Sequence, residues 1–275
     1  MSDQPSLTEM IDAIIKTFIV AHADDTDAHL AQALVYNAGR LAWRLREQGV
    51  DVSQKTDRAD VVTDADFAAE RFVAGVLEAL RGEDGIVGEE GANRESKSGR
   101  TWVIDPVDGT FNFASGFDYW CSALALTDSS GVILGAVHRP AMGYTWFGGR
   151  DHATTLDGKE VTPLVDTPAE DLCLSTYLHP SSITDPKISA AWEKVAPHFA
   201  TVRMLGAGSV DLSSVADGTW GAWMQHSVKD WDWFPGQALV LAAGGAARKV
   251  TAGGVEWCIA GNKQVVDQME EWLRG

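Results

Sequence analysis

The spacing of apolar residues changes partway along the chain, and the change predicts two kinds of architecture. From Ala28 to Gln48, Leu30, Leu34, Ala38, Leu41 and Leu45 fall on one helical stripe that stops at Gly49. A second helix is expected over Ala65–Leu80, with Phe67, Phe72, Val73, Val76 and Leu77 as its apolar positions and Gly82 and Gly85 beyond its end. From Thr101 the texture becomes strand-like: Trp102–Ile104, Ala123–Thr127, Val132–His138 and Tyr144–Phe147, with a hairpin turn over Asp128–Gly131. Past Gly158 the chain alternates. Strands are expected at Leu172–Tyr177, Thr201–Leu205, Trp220–Gln225 and Ala246–Val250, with helices at Ile188–His198, Ser209–Ala216 and Pro235–Ala243 between them. No repeat or Pro/Ser-rich linker separates the two textures, so a soft boundary near residues 160 to 170 with a substantial interface is expected.

Length and charge narrow the function. A chain of 275 residues is one large domain or two small ones sharing an interface. Its 39 acidic against 22 basic side chains leave a formal charge of −17, and the longest basic groupings are pairs such as Arg248–Lys249. Neither nucleic acid nor an anionic membrane suits such a surface as a partner. Cys121, Cys173 and Cys258 are scattered within apolar stretches, which argues against a disulfide framework and a zinc site and for a reducing compartment. The apolar run Ile11–Val20 is broken by Lys16 and preceded by acidic residues, so it reads neither as a secretory signal nor as a membrane span. A cytoplasmic protein is expected.

The candidate chemistry lies where a buried strand ends. Asp105-Pro106-Val107-Asp108-Gly109-Thr110 follows Trp102-Val-Ile, and a Pro-initiated turn can bring both carboxylates and the Val107 carbonyl into one small volume. Carboxylates that close repel unless cations neutralise them, and a hard oxygen-ligand metal site does so. Every residue in the segment also favours a plain tight turn. Upstream, Gly88-Glu89-Glu90-Gly91 offers carboxylates from a second loop, although paired glutamates are commonly solvated surface. Downstream, Trp231-Asp232-Trp233 precedes a helix for which Asp232 would by itself be an ordinary N-cap. Thr63 and Asp66 fit a capping box.

Taken in order, these segments resemble the inositol monophosphatase family of magnesium-dependent, lithium-sensitive sugar-phosphate phosphatases. The resemblance rests on Gly88-Glu89-Glu90, on Trp102-Val-Ile-Asp105-Pro-Val-Asp108-Gly-Thr110-Phe-Asn-Phe, and on Trp231-Asp232 with Gly236 four residues after the Asp. An early element, Asp60-Val-Val-Thr63-Asp64-Ala-Asp66, matches as well. The resemblance implies an α/β (α+β) fold, a layered αβαβα sandwich of the inositol monophosphatase and fructose-1,6-bisphosphatase type. It divides the chain into an N-terminal extension (1–27), an α+β half with most metal ligands (28–165) and an α/β half with Asp232 and the substrate loops (166–275). It further implies that Glu89, Asp105, the Val107 carbonyl, Asp108 and Asp232 hold two to three Mg2+, and that Thr110 backed by Asp66, with Glu89 assisting, activates the water. Asp108, Gly109, Thr110, Gly206, Ala207, Gly208, Gln225 and Asp232 would meet the substrate. An all-oxygen donor set suits magnesium, whereas zinc would prefer His or Cys.

Two departures from the family pattern stand out, the first calling for bulkier packing behind the metal and the second bearing on substrate. Trp233-Phe234-Pro235 follows Asp232 where the family carries small residues, and Gln225 stands where inositol-specific members commonly have a Glu. His226 and Lys229 share that loop and offer contacts to another leaving group, or simply face solvent. The expected substrate is a small phosphorylated metabolite, inositol 1-phosphate first. The alternatives are histidinol phosphate, fructose 1,6-bisphosphate, 3′-phosphoadenosine phosphate, or a non-catalytic regulatory role. A homodimer is expected. The cluster Trp220, Trp223, Trp231 and Trp233 is read as core rather than as a ring wall for a ligand.

Overall fold

The computed structural model describes residues 6–49, 52–54 and 61–275. In chain order the elements are α1 (Leu7–Ala21), α2 (Asp27–Gln48), β1 (Val52–Gln54), β2 (Val61–Thr63), α3 (Asp64–Leu80), β3 (Gly85–Gly88), β4 (Asn93–Arg94), β5 (Thr101–Asp108), α4 (Thr110–Ala114), β6 (Cys121–Asp128), β7 (Gly131–Arg139), β8 (Tyr144–Gly149), β9 (His152–Leu156) and β10 (Lys159–Glu160). The second half holds β11 (Cys173–Thr176), α5 (Pro186–Val195), β12 (Thr201–Arg203), α6 (Gly208–Ala216), β13 (Ala222–His226), α7 (Asp230–Ala242), β14 (Ala246–Ala252), β15 (Val255–Gly261) and α8 (Lys263–Arg274).

Beside a small antiparallel pair, β1-β2, two large sheets form, an eight-stranded one ordered β10-β9-β8-β7-β6-β5-β3-β4 and a five-stranded one ordered β12-β11-β13-β15-β14. Strand periodicity decides which helices cover which face. On β6, Leu124 and Leu126 pack outward with Leu34, Phe72, Val76 and Leu77 of α2 and α3. Cys121 and Ala123 point the other way, toward Val210, Leu212, Leu239 and Val240 of α6 and α7. On β13, Trp223 joins that same middle layer, while Ala222 and Met224 face α5 and α8. The layers therefore run helices, sheet, helices, sheet, helices, which is the expected αβαβα sandwich.

Most predicted elements are present with ends shifted by a few residues. Phe67 is half exposed, because it sits about 140° round α3 from Phe72, and the buried face is instead Ala65, Ala68, Ala69, Phe72, Val73, Val76 and Leu77. The helix expected to reach His198 leaves α geometry at Val195, and a 3-10 turn follows that contains Pro197. The helix expected from Pro235 begins five residues earlier, at Asp230, and Pro235 lies inside it. The helices α1, α4 and α8 and the strands β1 to β4, β9, β10 and β15 have no counterpart among the predicted elements. Residues 7–21, within the segment expected as an extension, bury Ile11 and Phe18 in the outer helical layer. All three cysteines are free. Among the described residues no helix is long and apolar enough to cross a membrane.

Glycines let the middle layer close. A Cβ on Gly135 of β7 would overlap the Pro235 carbonyl of α7, and one on Gly236 would overlap the Leu212 side chain of α6. Gly135→Ala should therefore destabilise the protein by about 1–3 kcal/mol, the usual cost of overfilling a packed interior. Urea denaturation would read this as a lowered midpoint at unchanged slope.

Candidate active site

The site begins at the carboxyl ends of two parallel strands. In the pairing of β3 with β5, Gly88 lies opposite Ile104, so the residues that follow, Glu89 and Asp105, emerge side by side. The Glu89 N–H donates to the Ile104 carbonyl at 3.2 Å. Such an edge is where open α/β sheets present functional groups. The register of β5 against β6 then breaks between Asp105 and Asp108. The Pro106 carbonyl released there accepts from Ser122 Oγ at 2.6 Å. Gly109 takes φ 92°, and a Cβ there would crowd Ala207 and the Tyr119 and Gly206 carbonyls. The chain thereby reverses directly into α4.

Asp232 arrives from the other half, in the first turn of α7. It is not the helix cap predicted for it: Lys229 occupies that position, and Asp232 sits three residues inside. Asp105, Asp108 and Asp232 each offer an oxygen, and these lie within 4.8 Å of one another. Both oxygens of Asp105 are buried and receive no hydrogen bond. Burial, reinforced by Glu89 and Asp108, raises the Asp105 carboxyl well above the ordinary range, and burial followed by Asp108 does the same to Asp232. Asp108 is also raised by burial, but it accepts the Gly208 N–H at 3.2 Å and the Ser209 N–H at the start of α6. Orphaned acceptors in a triad of mutually repelling carboxylates fit a hard cation.

Asp66 carries two roles at once. Its Oδ2 closes the capping box of α3, accepting from the Thr63 N–H at 2.9 Å and the Thr63 hydroxyl at 2.5 Å. Its Oδ1 lies 3.1 Å from Thr110 Oγ1, which is also 2.9 Å from the Val107 carbonyl. Burial raises the Asp66 carboxyl to about 7 against these hydrogen bonds. Asp60, the first residue of the matching motif, lies outside the described residues.

A cleft of about 200 Å³ opens above these groups, lined by Glu89, Asp108, Gly109, Thr110, Gly206, Ala207, Gly208, Gln225 and Asp232. The structure thus gathers the sequence-predicted residues, with Asp105 and Val107 in the floor behind them. Phe111, Tyr177 and Asp211 line the cleft too, and no role was predicted for them. Tyr177 continues β11 beside the end of β13, a neighbourhood that only the sheet order reveals. Asp211, raised by burial to about 7, accepts from the Tyr119 hydroxyl at 2.5 Å. Asn112, which the sequence offers only as part of a motif, donates to the Tyr119 carbonyl at 2.8 Å and the Leu205 carbonyl at 2.7 Å, pinning the Gly206 loop to the metal-site turn. His226 packs on Trp257 and Lys229 is exposed; neither lines the cleft. Trp223 and Trp233 are buried and stacked at 5.8 Å, as core.

The model of the inositol monophosphatase family matches residues 23–272. The chain belongs to the inositol monophosphatase family. It is accordingly a phosphoric monoester hydrolase, of a metal-dependent family that acts on small phosphorylated substrates. It is 31% identical over 242 residues to an inositol-1-monophosphatase of Mycobacterium leprae, covering 80% of each chain. It is 38% identical over 136 residues to a histidinol-phosphatase of Mycobacterium tuberculosis, covering 48% of this chain and 52% of that one. The extragenic suppressor protein suhB of Bartonella henselae shares the fold at a TM-score of 0.80 and 23% identity, with 89% of this chain and 97% of that one covered.

Because Asp105 holds its proton more tightly folded than unfolded, metal-free protein should lose stability as pH rises from the unfolded carboxylate value, near 4, through the raised one. Asp105→Asn removes that loss. In EDTA the variant should melt above the parent at pH 8, with a smaller gap at pH 4.5, each tenfold difference in proton affinity contributing about 1.4 kcal/mol.

Proposed function

We propose that this protein hydrolyses a small phosphate monoester with magnesium, inositol 1-phosphate being the first candidate. The observation that carries this reading is the triad of buried Asp105 and Asp108 with half-buried Asp232, both Asp105 oxygens lacking a donor, beside a cleft that also presents Thr110. Glu89, Asp105, the Val107 carbonyl, Asp108 and Asp232 would hold two to three Mg2+. When bound, these ions neutralise the phosphate oxygens, lower the pKa of a water and hold the leaving oxygen.

The chain's own groups do the rest. Thr110 Oγ1, held between Val107 and Asp66, orients the attacking water, and Asp66 takes up its proton, with Glu89 assisting. The N–H groups of Gly208 and Ser209 fix the direction of the Asp108 carboxylate. Gly109 and the Gly206-Ala207-Gly208 loop bring backbone groups to the substrate, and Gln225 supplies an amide where a carboxylate would add repulsion. The cleft's small volume favours a small leaving group. We place the protein in a reducing, cytoplasmic compartment as a homodimer. Its −17 charge supports small anions escorted by magnesium over nucleic acid or membrane as partners.

Phosphate release with Mg2+ should be measured on inositol 1-phosphate, histidinol phosphate, fructose 1,6-bisphosphate and 3′-phosphoadenosine 5′-phosphate. Highest kcat/KM on inositol 1-phosphate is expected. A clear win for histidinol phosphate, the substrate for which the M. tuberculosis relative is named, would reassign the substrate. Asp108→Asn and Thr110→Ala should each cut kcat by at least about a hundredfold with the fold retained by circular dichroism. Lithium should inhibit at saturating substrate. Full activity of Asp108→Asn would sink the assignment of the site.

A further inference from the structure

Glu70 carries a carboxylate into the wall behind the site without lining the cleft. It lies one turn beyond Asp66 on α3 and is 4% exposed. Each of its oxygens accepts from one short segment: Oε2 accepts the Glu90 N–H at 2.8 Å and Oε1 the Ala92 N–H at 2.7 Å. Gly88 is glycine for the same reason, since a Cβ there would overlap the Glu70 carboxylate. The turn is also closed on itself by the Gly88 N–H to the Ala92 carbonyl, 2.7 Å.

Burying a carboxylate is costly, and two amide donors offset that cost only if both oxygens stay acceptors. A glutamine of the same shape would turn an amide NH2 toward one of the two N–H groups. This turn therefore needs both oxygens as acceptors, and it carries Glu89, whose own N–H is tied to Ile104 and whose charge bears on Asp105 and Asp232.

We propose that Glu70 is a positioning residue that locks the Gly88–Ala92 turn and thereby sets the affinity of the carboxylate cluster for its divalent cation. The inference rests on the metal-dependent reading of the site. With Asp66 holding Thr110 and Glu70 holding the Glu89 turn, one face of α3 braces both halves of the proposed water-activating apparatus.

Calorimetric titration of the purified, metal-stripped protein with MgCl2 tests this directly. Glu70→Gln should weaken Mg2+ binding about tenfold or more, the usual effect of removing a partner that orients a ligand. The Mg2+ concentration giving half-maximal phosphate release should rise in parallel. A variant that melts lower without metal yet binds Mg2+ within twofold of the parent overturns the proposal, because Glu70 would then be merely structural. If Glu70→Gln does not fold, Glu70→Asp keeps the charge but shortens the reach, and the same criterion applies. If the parent binds Mg2+ and hydrolyses phosphate esters while the variants bind Mg2+ as tightly, this inference alone is defeated; parent protein that binds no Mg2+ defeats the metal reading along with it.

Discussion

Mutual repulsion among closely gathered carboxylates is the constraint around which this molecule is arranged. Asp105, Asp108 and Asp232 come from two halves of the chain and converge to within 4.8 Å, in surroundings where each ionised group raises the cost of the next. A fold does not hold such groups together for stability; it tolerates them because packing elsewhere over-determines their positions. The middle helical layer supplies that packing. The α7 helix seats against β7 at Gly135 and against α6 at Gly236, and this contact carries Asp232 to the ends of β3 and β5.

The remaining polar groups near the cleft hold direction. The start of α6 reaches across to Asp108, Asn112 reaches back to the Gly206 loop, and Tyr119 ties the entry to β6 to Asp211. Each bond joins the Asp105–Gly109 turn, or the segment just after it, to one at least ninety residues away. The two halves are consequently not independent supports for two separate sets of residues. Positioning one set therefore fixes the other.

Much of this was legible from residue order. The helical stripe of α2, the β6–β7 hairpin and the alternation of the second half follow from periods of 3.6 and 2 that local sterics impose. Asp105 and Asp108 were readable because Pro106 and Gly109 force a turn at a buried strand end, and Thr63 with Asp66 because capping is a local hydrogen-bond pattern. Phe67 and Asp232 show the limit: Phe67 is apolar yet half exposed, and Asp232 has the local setting of a cap yet lies inside its helix. In both cases a local preference yielded to what α3 and α7 pack against.

By itself the sequence determined the chemical inventory: an acidic chain, carboxylates at strand and helix ends, and ordered motifs whose residue types suit a hard cation. Those are local properties, set by side-chain chemistry and by backbone geometry over a few residues. Only the tertiary structure decided that Glu89 and Asp105 lie side by side, that Tyr177 and Asp211 share their cleft, and that Glu70 holds the Glu89 turn. These depend on parallel pairing and on layers stacked across long separations, where the energy comes from contacts that no single segment encodes.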